Sequence, residues 1–82
     1  MATAGPATAD KTLDAKGLTC PLPVLRARKA MREVPKGGVL RVEATDPGAV
    51  RDFDAFCKAG GHTLLSQSGD NGVFVFLIRK AG

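Results

Sequence analysis

The sequence has no tryptophan and no tyrosine, and only four phenylalanines among its 82 residues. Flat aromatic faces are what proteins use to stack unpaired bases, so direct binding to nucleic acid is disfavoured. Cysteine is scarce too, with two in the chain. Two thiols do not make the disulfide framework of a small secreted domain, and a reducing cytosol would keep both free. Cys20, Cys57 and the single histidine, His62, lie too far apart in the chain for zinc-ligand spacing, so no metal site is expected. No apolar run approaches the roughly 20 residues of a membrane helix. The N-terminal MATAGPATADK lacks the basic start and apolar stretch of a secretory signal. A cytoplasmic location is therefore expected, with residues 1–10 as a disordered tail of Ala, Thr, Gly and Pro.

What the chain does have is one modest core and an excess of positive charge. Its length fits a single small domain over residues 11–82, and 44% apolar residues suffice for it to fold alone. Twelve Lys and Arg against eight Asp and Glu leave a net charge of +4, which points to acidic partners without choosing among them.

Hydrophobic spacing divides the domain into six elements. Lys11 to Asp14 reads as a short strand, followed by the turn Ala15-Lys16-Gly17. Val24, Ala27, Met31 and Val34 recur at helical spacing, so a helix is predicted over Val24 to Glu33 and stopped by Pro35-Lys36-Gly37-Gly38. Arg26, Arg28, Lys29 and Arg32 occupy the other side of that helix. In VLRVEAT (39–45), Leu40, Val42 and Ala44 alternate with polar residues, as in a strand with one buried face. Asp46-Pro47-Gly48 opens a second helix, with Asp46 as the expected N-cap and Pro47 in the first turn. Ala49, Val50, Phe53, Phe56 and Cys57 form its apolar stripe, and Gly60-Gly61 end it. Thr63–Gln67 and Val73–Arg79 then read as a hairpin around Ser68-Gly69-Asp70-Asn71-Gly72. The order β-α-β-α-β-β predicts an α+β two-layer sandwich: a four-stranded mixed sheet with both helices on one face. A right-handed crossover makes the first two strands parallel where they are neighbours.

Cys20 stands apart from this packing. In GLTCPLP (17–23) it precedes two prolines that lack backbone N–H groups, a loss that costs little in the first turn of a helix. Residues before proline avoid the helical region, so Cys20 is expected in a stiff, exposed loop at the helix start. There the helix dipole and free N–H groups, such as those of Leu22 and Val24, would favour a negative sulfur and lower the thiol pKa. Cys57, on an apolar stripe, reads as core. A hydrolase-type pairing of Cys20 with His62 lacks an assignable third member, although Asp46 and Asp14 are candidates, and His62 reads more simply as turn packing. A thiol redox protein would need a resolving cysteine near Cys20. A non-catalytic regulatory or nucleic-acid-binding module using the basic first helix is the main alternative.

LDAKGLTCPLP (13–23), ATDPGAVRDFDAFCKAGGHTLL (44–65) and FLIRK (76–80) together resemble the TusA, or SirA-like, family of sulfur carrier proteins. The resemblance runs from about Lys11 to the C-terminus. It implies the same β-α-β-α-β-β sandwich, and a sulfurtransferase activity in which the cysteine of the Cys-Pro-x-Pro motif carries sulfane sulfur as a persulfide. That role maps onto Cys20, supported by Gly17, Pro21 and Pro23, with no cofactor. The implied donors are cysteine desulfurases or rhodanese-like proteins, and the implied acceptors include DsrE-like proteins. Arg26, Arg28, Lys29 and Arg32 would steer such partners. Leu22 stands where several tRNA-thiolation members carry an acidic residue, which leaves tRNA thiolation, sulfur oxidation and molybdenum-cofactor supply all open.

Overall fold

A computed structural model describes residues 9–81. The tail expected over residues 1–10 falls for the most part outside that range. At its end, Asp10 joins the sheet: its N–H donates to the Val39 carbonyl and its carboxylate accepts from the Val39 N–H, both at 2.8 Å.

Six elements follow in the expected order: β1 (Lys11–Ala15), α1 (Leu22–Met31), β2 (Val39–Ala44), α2 (Ala49–Gly60), β3 (Thr63–Asp70) and β4 (Val73–Arg79). The strands form one sheet in the order β1-β2-β4-β3. β1 and β2 are parallel, and both pairs made by β4 are antiparallel. Period-two patterning decides which face is covered. Leu40, Val42 and Ala44 of β2 and Phe76 and Ile78 of β4 are fully buried beneath the helices. Onto them α1 sets Ala27, Ala30 and Met31, and α2 sets Ala49, Phe53 and Cys57. Phe53 stacks on Phe76 with ring centroids 4.8 Å apart, which joins α2 to the sheet. This is the two-layer α+β sandwich expected, with both helices on one face.

Three local expectations need correction. First, α1 starts at Leu22, two residues before Val24, because Pro21 can serve as its N-cap: the Leu25 N–H donates to the Pro21 carbonyl at 3.1 Å. Its last turn tightens, with Arg32, Glu33 and Val34 donating three residues back, so the regular helix ends at Met31. Second, Asp46 does not cap α2. Gly48 is the N-cap with no side-chain bond, and Asp46 contributes only its carbonyl, to the Ala49 N–H at 2.9 Å. Third, β3 runs on to Asp70, and the hairpin loop shrinks to Asn71-Gly72. Their φ values of 54° and 80° give the type I′ geometry that matches strand twist, and Asn and Gly are the residues that tolerate it.

Candidate functional site

Parallel pairing of β1 and β2 decides where the site forms. Both strands point the same way, so the segments leaving their C-terminal ends lie side by side. Ala15 pairs with Ala44 at that end, and beyond it the Gly17 N–H donates to Thr45 Oγ1 at 2.9 Å. Gly17 has φ +82°, a conformation that side-chain-bearing residues rarely adopt. The loop is further held where the Asp14 carboxylate accepts from the Lys16 N–H at 3.0 Å. This tether delivers Cys20, exposed, to the start of α1 through a cis peptide to Pro21. Pro23 is buried in the first turn, while Leu22 and Leu25 stay 41% and 49% exposed beside the cysteine.

A groove of about 590 Å³ runs from Cys20 along the seam between the helices. Cys20, Val24 and Arg28 line one side, and Asp52, Phe56 and His62 the other. It continues into a smaller depression of about 190 Å³ bordered by Arg32 and Lys80. The basic arc of α1 is thus divided. Arg28 and Arg32 border the groove, whereas Arg26 and Lys29 lie beside Leu13 and Glu33 on the flank toward β1. None of the four forms an ion pair among the described residues.

The charges nearest the sulfur have the opposite sign. The Cys20 thiol is pushed above its ordinary pKa, chiefly by the Asp52 carboxylate, then by desolvation and the negative charge of Asp46; Arg51 opposes this. The expected lowering by the helix start is therefore overturned. One of the N–H groups invoked for it, that of Leu22, is taken by the Thr19 carbonyl at 2.8 Å. Asp46 and Asp52 converge over Gly48: a Cβ there would stand 3.0 Å from Asp46 Oδ2 and 3.8 Å from Asp52 Oδ2. Asp52 is the residue that sequence reading missed. The available signal was an acid in the first turn of α2, whose start the parallel strands bring next to Cys20.

The other candidates separate cleanly. Cys57 is buried on the core side of α2, and burial raises its pKa, so it is no resolving partner for a thiol that faces the groove. His62 does border the groove, but its Nδ1 accepts the Ala81 N–H at 3.0 Å and its ring leans on Phe56. Burial and Lys80 lower its pKa, which favours the neutral ring with its proton on Nε2. The group that most raises the thiol's pKa is an aspartate, not a histidine. No cluster of His, Cys, Asp or Glu among the described residues could hold a metal ion, and no described helix is long and apolar enough to cross a membrane.

The fold is a small two-layer sandwich that displays one exposed cysteine at the head of a helix, at the mouth of a groove. Comparison with known proteins gives the family. Residues 11–80 match the family described as Sulfurtransferase TusA, and the chain belongs to it. It is 53% identical over 72 residues to the Sulfur carrier protein TusA of Allochromatium vinosum, covering 88% of this chain and 95% of the relative. It is 51% identical to the Putative sulfur carrier protein YrkI of Bacillus subtilis, over 87% of this chain and 95% of that one. The crystal structure of a SirA-like protein from Desulfitobacterium hafniense superposes with a TM-score of 0.76 at 30% identity, covering 88% of this chain and 99% of that one.

Proposed function

We propose that this protein is a persulfide carrier in which Cys20 accepts sulfane sulfur from a donor protein and passes it to an acceptor. The observation that carries the reading is the exposed Cys20 at the mouth of the groove, in a chain of the TusA family. On loading, Cys20 sulfur attacks the outer sulfur of a donor persulfide, the donor's S–S bond breaks, and the donor leaves as a thiol. On unloading, an acceptor thiolate attacks the outer sulfur now held by Cys20, which departs in turn. Nothing is oxidised or reduced overall.

Each transfer happens inside a transient complex, and the surroundings of Cys20 suit one. Leu22 and Leu25 offer apolar contact, and Arg28 and Arg32 offer attraction to acidic partner surfaces. Cysteine desulfurases or rhodanese-like proteins fit as donors and DsrE-like proteins as acceptors, in tRNA thiolation, sulfur oxidation or cofactor sulfur supply. A reducing compartment such as the cytoplasm is required to keep Cys20 free.

The test is intact-mass measurement after incubation with a cysteine desulfurase and cysteine. The expected result is a gain of one sulfur atom, reversed by reductant, absent from Cys20→Ser and retained in Cys57→Ser. Absence of that gain with desulfurase and rhodanese donors alike would overturn the reading.

A further inference from the structure

We propose that Lys16 and Thr45 form a clasp that positions Cys20 for sulfur transfer between proteins, a role that rests on the carrier reading. Two independent contacts hold adjacent residues of the loop that leads to the cysteine. The Gly17 N–H donates to Thr45 Oγ1 at 2.9 Å, just where β2 has ended and the turn into α2 begins. One residue earlier, the Lys16 ammonium stands 3.0 Å from Asp14 Oδ1 and 2.7 Å from Glu43 Oε1. Asp14 and Glu43 are register partners on the parallel strands β1 and β2. Like charges directly opposite one another destabilise a strand pair, and Lys16 supplies the cation between them. Glu43 has a second cation in Arg41, at 3.2 Å, whereas Asp14 has only Lys16 among the described ion pairs. Both carboxylates are held below their ordinary range, Asp14 chiefly by the Lys16 N–H and Glu43 chiefly by the Lys16 ammonium.

The clasp lies away from the surface that a partner at Cys20 would meet. Val42 and Ala44 are fully buried beneath the helices, so alternation puts Glu43, and Asp14 paired with it, on the open face of the sheet. Neither Lys16 nor Thr45 lines the groove at Cys20. Their effect on transfer therefore passes through the loop and not through contact with a donor. Only Gly17, Leu18 and Thr19 separate Lys16 from Cys20, and the Leu18 N–H is itself held by the Ala15 carbonyl at 3.2 Å. The loop is thus fixed at one end by the clasp and at the other by Pro21, the N-cap of α1. Transfer between two proteins needs the attacking sulfur within about 3–3.5 Å of the donor's outer sulfur and aligned with the bond that breaks. A loosened loop spends only part of its time in that position. A small reagent arriving from solvent has no such requirement, so the clasp matters for protein donors and not for small electrophiles.

The test uses Lys16→Met and Thr45→Val in the full-length chain, with Lys16→Arg and Thr45→Ser as conservative counterparts. The first pair removes the charge or the acceptor oxygen at nearly constant size, and the second pair keeps them. Loading from a cysteine desulfurase and cysteine is followed by intact mass while the carrier concentration is varied. Lys16→Met and Thr45→Val should each lower the saturating loading rate about three- to tenfold, the scale of one or two such contacts. The half-saturating concentration, and the rate of Cys20 alkylation by iodoacetamide, should stay within about twofold of the wild type. Lys16→Arg and Thr45→Ser should restore loading. Amide exchange followed by NMR needs no donor: Gly17 and Leu18 should exchange faster in both impaired variants, while the amides of β2 and β4 stay unmoved. A wild-type loading rate in either impaired variant overturns the clasp, and so does a slow rate that the conservative variant fails to restore. A raised half-saturating concentration at an unchanged rate would put these residues in docking, and equally slowed alkylation would put them in thiol reactivity; either overturns positioning. Should Thr45→Val fail to fold, Lys16→Met decides alone, because Lys16 is exposed. A wild-type protein that takes no sulfur from any donor overturns the carrier reading instead, and amide exchange still decides whether Lys16 and Thr45 hold the loop.

Discussion

Cys20 and Cys57 both hold their protons more tightly than a free thiol, but the causes differ. At Cys20 the leading cause is a carboxylate, that of Asp52, acting on an exposed side chain at a loop–helix junction. At Cys57 it is burial, on the α2 stripe that packs Phe53 against the sheet. An exposed thiol can lose its proton when a partner docks. Burial offers no such step, because the thiolate would be stranded in an apolar core. A raised thiol pKa therefore does not by itself mark an inert cysteine. What surrounds the sulfur decides.

The strongest way to break this contrast is to open the core. Phe53 is fully buried and stacks on Phe76, so Phe53→Ala should cost about 3–5 kcal/mol. Urea denaturation should show the loss as a lower midpoint. Mass-resolved alkylation under native conditions should show Cys57 becoming labelled, whereas in the wild type Cys20 alone reacts until the protein opens. A Cys57 that labels as fast as Cys20 in the intact wild-type protein would end the distinction between them.

A milder test exchanges each sulfur for a hydroxyl. Cys57→Ser puts a polar group into the core at a position only 4% exposed, and should cost about 1–3 kcal/mol of stability. Cys20→Ser, at an exposed position, should stay within about 0.5 kcal/mol of the wild type. The functional effects run the other way, since only Cys20→Ser should abolish sulfur loading. Matching stability losses for the two variants would mean that Cys20 also has a packing role.

Much of this contrast was legible in the sequence because it is local. Proline chemistry around Cys20 and the apolar stripe around Cys57 are read from neighbouring residues, and the apolar run after a polar turn placed β4 at Val73 to Arg79. The hairpin loop was legible in principle, because Asn-Gly is its strongest short signal, but the polar residues Ser68 to Asp70 hid the extension of β3. The sign of the potential at Cys20 was not legible locally. Arg26, Arg28, Lys29 and Arg32 are its neighbours in sequence, whereas Asp46 and Asp52 reach it only because β1 and β2 run parallel and bring two loop–helix junctions together. Topology, not proximity along the chain, made the site acidic.

The smallest expected effect gives the sharpest view of that acidity. Gly48 has φ −72°, a conformation open to alanine, and its added Cβ would press on Asp46 Oδ2 at 3.0 Å while leaving Asp52 Oδ2 in ordinary contact at 3.8 Å. The far end of an aspartate side chain yields easily, so Gly48→Ala should turn the Asp46 carboxylate aside at a cost of under about 1 kcal/mol in stability. Asp46 acts on Cys20 through charge alone and ranks below Asp52 among the causes of its raised pKa. The midpoint of Cys20 alkylation should therefore fall by less than in Asp52→Asn, with sulfur loading unchanged and Cys57 still protected. A fall as large as that of Asp52→Asn would mean that the summed negative charge, rather than Asp52 in particular, holds the proton on Cys20.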